Sequence, residues 1–258
     1  MINPQKKDCG FRELFQLSDQ ALGPHTNLVK TAQDLSIKTE DLVQFATEVI
    51  RYERSHPESE HANPALLILQ QRVTPEVLAQ VRGLCKSTDP AERLLGVMIL
   101  HEFPGLDFEK LFVAEALEIL EELVNKETDS EIFAWAIAAI GWQRDPRVIA
   151  ILLKYVEHPN DGIRFMVSNN LVLNCQEDNW FPPEIAAAYQ KLCFDADADV
   201  RWYAFANFAD ILEAGWLLPP SQRQDLETLL KSGLQDNDPQ VVEQAQNALG
   251  FLNQPPYA

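Results

Sequence analysis

Asp197-Ala198-Asp199-Val200-Arg201-Trp202-Tyr203-Ala204 is the stretch that decides how this chain folds. An acidic residue opens it, a Val-Arg pair follows, and small or apolar residues continue it. Aspartate ahead of an apolar run is a helix start, because its carboxylate accepts N–H groups that the first turn leaves unpaired. The same order returns at Asp89-Pro90-Ala91-Glu92-Arg93, Asp129-Ser130-Glu131-Ile132-Phe133, Asn160-Asp161-Gly162-Ile163-Arg164 and Asp238-Pro239-Gln240-Val241-Val242. Successive copies begin 40, 31, 37 and 41 residues apart. Self-similarity at this period belongs to stacked helical units, each covering the apolar face of its neighbour.

Start signals between these copies fill in the remaining helices. Asn63-Pro64 and Thr74-Pro75 open helices that run to about Val73 and Lys86, with proline where its missing N–H costs nothing. Helices are then predicted over 90–102, 107–124, 130–142, 146–157, 161–174, 183–194, 198–213, 221–233 and 239–252. Short links make sequential helices antiparallel. Nothing alternates as a strand does. Upstream, Thr39 reads as the cap of a helix to Arg54, with Leu42, Phe45, Ala46, Val49 and Ile50 at helical spacing. Phe11–Leu22 and Asn27–Leu35 also read as helical, and Ser55–Asn63 as an exposed loop. The expected organisation is an N-terminal cap or extension over 1–60 and one continuous array over 61–258.

The copies Asp199-Val200-Arg201-Trp202-Tyr203-Ala204 and Gly162-Ile163-Arg164-Phe165-Met166-Val167 resemble the HEAT repeat, above all its bacterial HEAT-like form. The copy at Ile132 keeps Ala136, Ala139, Ile140 and Gly141, and that at Val241 keeps Ala245, Ala248, Leu249 and Gly250. The resemblance covers about residues 64–253. It implies an all-α fold, a right-handed α-α superhelix of antiparallel helix pairs. It also implies a ladder in which Arg93, Arg164 and Arg201 reach the acidic cap of a neighbouring repeat, drawing on Asp89, Asp129, Asp199 and Asp238. Phe133 and Val242 replace the arginine and interrupt the ladder. HEAT-like arrays serve as scaffolds, adaptors and inhibitors, and some bacterial members resemble bilin lyases. No residue here matches a catalytic position of those, nor of the related helical-repeat enzymes that excise alkylated bases.

The resemblance further implies that the second helix of each pair lines a concave face. The residue after the arginine position and the one four later share a stripe. These are Leu94 and Met98, Ala134 and Ala138, Phe165 and Asn169, Trp202 and Ala206, and Glu243 and Asn247. An exposed Phe–Trp stripe edged by polar residues would suit a protein partner. Equally, Phe165 and Trp202 would be ordinary core if the register slipped by one. Trp135, Trp142 and Trp216 read as core or lids.

Charge narrows the partner. Lys and Arg total 21 against 39 Asp and Glu, a net charge of −18. Nucleic acid is disfavoured, since phosphate binding needs basic side chains; a basic protein would be drawn in. The first ten residues lack the apolar stretch of a secretory signal, and no apolar run is long enough to span a bilayer, so a cytoplasmic location is expected.

No enzyme chemistry assembles. Cys9, Cys85, Cys175 and Cys193 form no C-x-x-C pair and read as reduced, buried thiols. Among His25, His56, His61, His101 and His158, none belongs to a metal motif; His101-Glu102 runs into Phe103-Pro104. Asp195-x-Asp197-x-Asp199 begins like a calcium loop but lacks its glycine and its final glutamate, and helix capping explains those acids. Glu115, Glu118 and Glu122 share a solvated helix face. The expected function is a non-catalytic protein–protein scaffold or adaptor without cofactor or metal. A sharper version is an acidic inhibitor or immunity-type protein for a basic enzyme; the alternative is a bilin-lyase-like enzyme or cofactor chaperone.

Overall fold

The computed structural model describes residues 37–58, 61–102, 112–174, 182–215 and 220–254. These residues hold α1 (Thr39–Ser55), α2 (Pro64–Gln71), α3 (Pro75–Leu84), α4 (Pro90–Glu102), α5 (Val113–Val124) and α6 (Ser130–Trp142). They continue with α7 (Arg147–Leu152, closing in a 3-10 turn Leu153–Tyr155), α8 (Asp161–Leu173), α9 (Pro183–Leu192), α10 (Ala198–Glu213), α11 (Pro220–Gly233) and α12 (Pro239–Leu252). Every element among the described residues is helical, and the chain is an all-α solenoid of helix pairs. None of these helices is long and apolar enough to cross a membrane. The expected helices at Phe11–Leu22 and Asn27–Leu35 lie outside the described residues, as do Cys9, His25, Cys175 and Trp216.

The acid-capped copies start where the sequence places them. The Asp129 carboxylate accepts the N–H groups of Glu131 and Ile132, and the Asp197 carboxylate those of Asp199 and Val200. Asn160 accepts from Ile163, and Asp238 from Gln240. Thr74 and Asn63 cap α3 and α2 in the same way. Thr39 departs from expectation. It is the first helical residue and buried, while the extended Lys38 holds the cap position without a side-chain bond. The chain therefore enters α1 one residue early.

Packing falls into two compact units, one ending at Gln143 and one beginning at Arg144. In the first, α4 lies against α1 and α6 and also touches α2 and α3, while α5 rests on α6. In the second, α10 lies against α8 and α12, with α9 on α8 and α10, and α11 on α12. Within each unit the acid-capped helices thus neighbour one another, and the intervening helices cover one side. We call α1, α4 and α6, and in the second unit α8, α10 and α12, the inner helices.

Small side chains let the inner helices approach. Ala136, Ala139, Ala204, Ala245 and Ala248 are all fully buried. A Cβ on Gly233 would sit 2.6 Å from the Phe205 ring and 2.8 Å from Ala245 Cβ, so only glycine fits where α11 closes on α10 and α12. Around these points the burial of each Leu, Ile, Val or Phe is worth about 1.5–3 kcal/mol.

Buried polar groups tie helix to helix. Gln143 donates its amide to the carbonyls of Leu100 (3.0 Å) and Ala139 (3.1 Å). Tyr189 Oη and Asn207 Nδ2 both donate to the Ser168 carbonyl, at 2.6 and 2.9 Å. A polar group that deep is tolerated only when bonded, so these contacts hold α4 to α6 and α8 to α9 and α10 in one register.

Candidate functional site

The turns that precede the inner helices are built to one plan. In each of the five turns, four capped by aspartate and one by Asn160, the residue two before the cap accepts the cap's own backbone N–H. The acceptors are Ser87 Oγ for Asp89 (3.1 Å), Glu127 Oε1 for Asp129 (2.9 Å), His158 Nδ1 for Asn160 (3.1 Å), Asp195 Oδ1 for Asp197 (2.9 Å) and Asp236 Oδ1 for Asp238 (2.9 Å). An acceptor two residues ahead of each cap was present in the sequence and was missed there, because Ser, Glu, His and Asp share no obvious class.

The arginines meet that same residue and not the cap. Arg93 forks onto Glu127 (2.7 and 3.1 Å), Arg164 onto Asp195 (2.7 and 2.7 Å) and Arg201 onto Asp236 (2.7 and 2.9 Å). Each also donates its remaining amino group to two carbonyls of its own turn: Ser87 and Thr88, His158 and Pro159, Asp195 and Ala196. The expected route through the caps is thus corrected by one step of geometry. A cap oxygen already serves the helix N–H groups, and the carboxylate two residues earlier faces the arginine of the preceding repeat. Asp199 is no cap; it sits exposed in the first turn of α10 and donates its N–H to Asp197. Asp89 and Asp129 do receive arginines, but from α1: Arg51 bonds Asp89 at 2.6 Å, and Arg54 bridges Asp129 and Glu131.

These pairs set the protonation of the turns. Arg201 beside Asp236 holds that carboxyl below the usual aspartate range. Burial pushes Asp195 and Glu127 upward, but Arg164, Arg93 and the backbone N–H groups outweigh it, leaving both below their ordinary values. Cys85 and Cys193 are buried, and burial raises the Cys85 thiol to about 12 and Cys193 well above its ordinary value.

On the second unit, the expected stripe lies at the surface of the inner helices. Phe165, Asn169, Trp202 and Ala206 are half-buried, and Glu243 and Asn247 are exposed. Phe165 and Trp202 are neither deep core nor free. Both rings meet Tyr203 edge-on, with centroids 4.3 and 5.0 Å away, and Tyr203 is itself half-buried. The result is an aromatic ridge across α8 and α10. Asp161, Asp199, Asp210, Glu213 and Glu243 stand exposed on the same three helices.

On the first unit, Leu94 and Ala138 are buried where exposure was expected, because α1 and the neighbouring inner helix cover that stripe. Met98 and Ala134 stay half-buried. Leu94 and Met98 form the floor of a groove of about 450 Å³, walled by Ile50, Glu53, Arg54 and Pro57 of α1 and its end, and by Glu131 and Trp135 of α6. Trp135, expected as core or lid, is half-exposed in this groove. His101 lies edge-on to it at 5.7 Å and stacks on Trp142 at 5.5 Å.

Charge is divided sharply. The inner helices contain no lysine. Their arginines, Arg51, Arg54, Arg93, Arg164 and Arg201, are all held in the ion pairs above. Lys86, Lys126, Lys191 and Lys231 sit at the ends of the covering helices, paired with Glu122, Glu122, Glu157 and Glu227. Glu115 and Glu118 are exposed on α5 as expected, and Glu118 also meets Arg82 at 3.3 Å.

No family model and no curated protein sequence matches this chain. Solved structures do. One engineered protein from the Northeast Structural Genomics Consortium is 19% identical over 88% of this chain and 96% of its own, with a TM-score of 0.49. A second engineered protein from the same consortium is 18% identical over 88% of this chain and 68% of its own, also with a TM-score of 0.49.

Proposed function

We propose that this chain is a non-catalytic, HEAT-like interaction module of the cytoplasm, and that its inner helices dock a protein partner with a basic surface. The observation that carries this reading is the absence of any free cation on the inner helices, beside an aromatic ridge and a row of exposed carboxylates. Aromatic side chains supply contact area at low entropic cost, and carboxylates select the sign of the partner. Polyanions meet the wrong sign on this face. The sharper form of the reading makes the partner a basic enzyme that the acidic face blocks.

The test is affinity capture from the native host with the wild-type chain and with Phe165→Ala/Trp202→Ala, washed at about 50 and about 300 mM salt, on either side of the ionic strength where surface charge is screened. The expected result is one enriched basic protein that leaves as salt rises and is missing from the variant, while the variant keeps its helicity. No enriched protein at either salt would overturn the docking reading. Equal capture by the variant would remove the aromatic ridge from it.

A further inference from the structure

We infer that the groove between α1, α4 and α6 accepts one cationic side chain, an arginine or lysine of the docked protein; this rests on the reading of the chain as a docking module for a basic partner. The groove belongs to the first unit, and most of its polar walls lie outside the stripe that the repeat pattern marks. Its volume of about 450 Å³ falls within the ~300–1,000 Å³ of sites that hold small ligands.

Its chemistry is specific. The floor of Leu94 and Met98 and the Ile50 wall suit the methylenes of a long side chain. Trp135 supplies an aromatic wall, and the indole is the ring that attracts a cation most strongly. His101, edge-on at 5.7 Å, holds that ring in place. Two carboxylates face the opening. Glu53 uses Oε1 for the His61 N–H, and Glu131 uses Oε2 for Arg54. Glu53 Oε2 and Glu131 Oε1 take no hydrogen bond among the described residues, and the Glu131 side chain is 52% exposed. Arg54 also lines the groove, but its charge is shared between Asp129 and Glu131. Of the charged residues that line the groove, Glu53 and Glu131 outnumber Arg54, so the groove keeps net negative charge. A second cation entering beside Trp135 meets free carboxylate oxygens; an anion would meet Glu53 and Glu131. A purely apolar side chain would fill the floor and leave both carboxylates less hydrated for no return.

The experiment uses the full chain and two peptides, hexa-arginine and hexa-citrulline, which match in length and shape but differ in charge. The indole N–H resonances are followed by NMR, with Trp135 assigned through Trp135→Phe. Hexa-arginine is expected to shift the Trp135 resonance saturably, and hexa-citrulline to leave it in place. Glu53→Gln, which keeps an acceptor for the His61 N–H and leaves the Arg54–Glu131 pair alone, should weaken that binding. Glu53→Gln/Glu131→Gln should weaken it by about tenfold, since both carboxylate charges at the groove are then lost. Melting of each variant separates lost affinity from lost fold. A Trp135 resonance that does not move, that moves equally with citrulline, or that titrates unchanged in the folded variants would overturn the inference. If hexa-arginine moved only the Trp202 resonance, the groove would fail while the basic-partner reading stood. Failure of host capture with a titrating Trp135 would be the reverse case.

Discussion

The two units tie their turns together by different means. In the second unit, Arg164 and Arg201 each fork onto the aspartate two residues ahead of the next cap, so neighbouring repeats repeat one bond. In the first, only Arg93 forks in this way, onto Glu127, and the remaining turn acids are held by Arg51 and Arg54 of α1, which is not one of the repeat copies. The acceptor for the cap N–H is nevertheless present in every turn, as serine at 87 and histidine at 158 where no carboxylate stands. The turn is therefore a local device, and the arginine rung is an addition to it. The rung adds charge-assisted bonds between successive repeats, and together with the Arg51 and Arg54 pairs it occupies the inner-helix arginines.

The comparison breaks first at the rung. Arg201→Met strands Asp236, whose side chain is 11% exposed, and removes the donor to the Asp195 and Ala196 carbonyls. A loss of about 3 kcal/mol is expected, since removing one partner of a buried pair leaves the other charge uncompensated. Arg51→Met, whose side chain is 54% exposed, should cost under about 1 kcal/mol. Urea unfolding of both variants measures the contrast, and equal costs would abolish the distinction between rung and surface pair.

Acid sharpens the same point. Asp236, Asp195 and Glu127 have folded-state pKa values below their unfolded ones. Their contribution is full at neutral pH and is lost as pH falls below about 4, the unfolded carboxyl range, toward the folded values. Melting temperature against pH should fall steeply there, and Arg201→Met should flatten part of that slope. Asp236→Asn keeps an acceptor for the Asp238 N–H but loses the charge, so about 1–2 kcal/mol is expected.

The aromatic ridge comes next. Phe165 and Trp202 are half-buried, so Phe165→Ala and Trp202→Ala should each cost about 1–2 kcal/mol, below the ~3–5 kcal/mol of a core aromatic. Thermal melting that fell by the core amount would place both rings in the interior. The smallest effect belongs to the turn without a carboxylate: Ser87→Ala removes one acceptor from a part-exposed N–H, and about 0.5–1 kcal/mol is expected from denaturant midpoints.

Legibility in the sequence followed the range of the interaction. Caps are local: Asp129, Asn160, Asp197 and Asp238 accept N–H groups two or three residues on, so residue type and position suffice. Helix spans at Pro90–Glu102, Ser130–Trp142, Ala198–Glu213 and Pro239–Leu252 were readable for the same reason. The rung was half legible. The arginines announced themselves, but their acceptors lie 31 to 35 residues away and vary in type.

The sequence by itself determined that this protein is a succession of capped helices at a repeat period, with a net charge of −18. Those properties depend on neighbours within a turn or on composition, which distance does not blur. Only the tertiary structure decided which face stays open. Trp135 lines a groove because α1 brings Ile50, Glu53 and Arg54 against α4 and α6 from about 80 residues upstream. Leu94 is buried by that same approach, while Phe165 and Trp202 stop halfway because Tyr203 stands beside them. Exposure is a property of what packs against a residue, and for a helical stripe one position in register, about 100° of rotation, decides it.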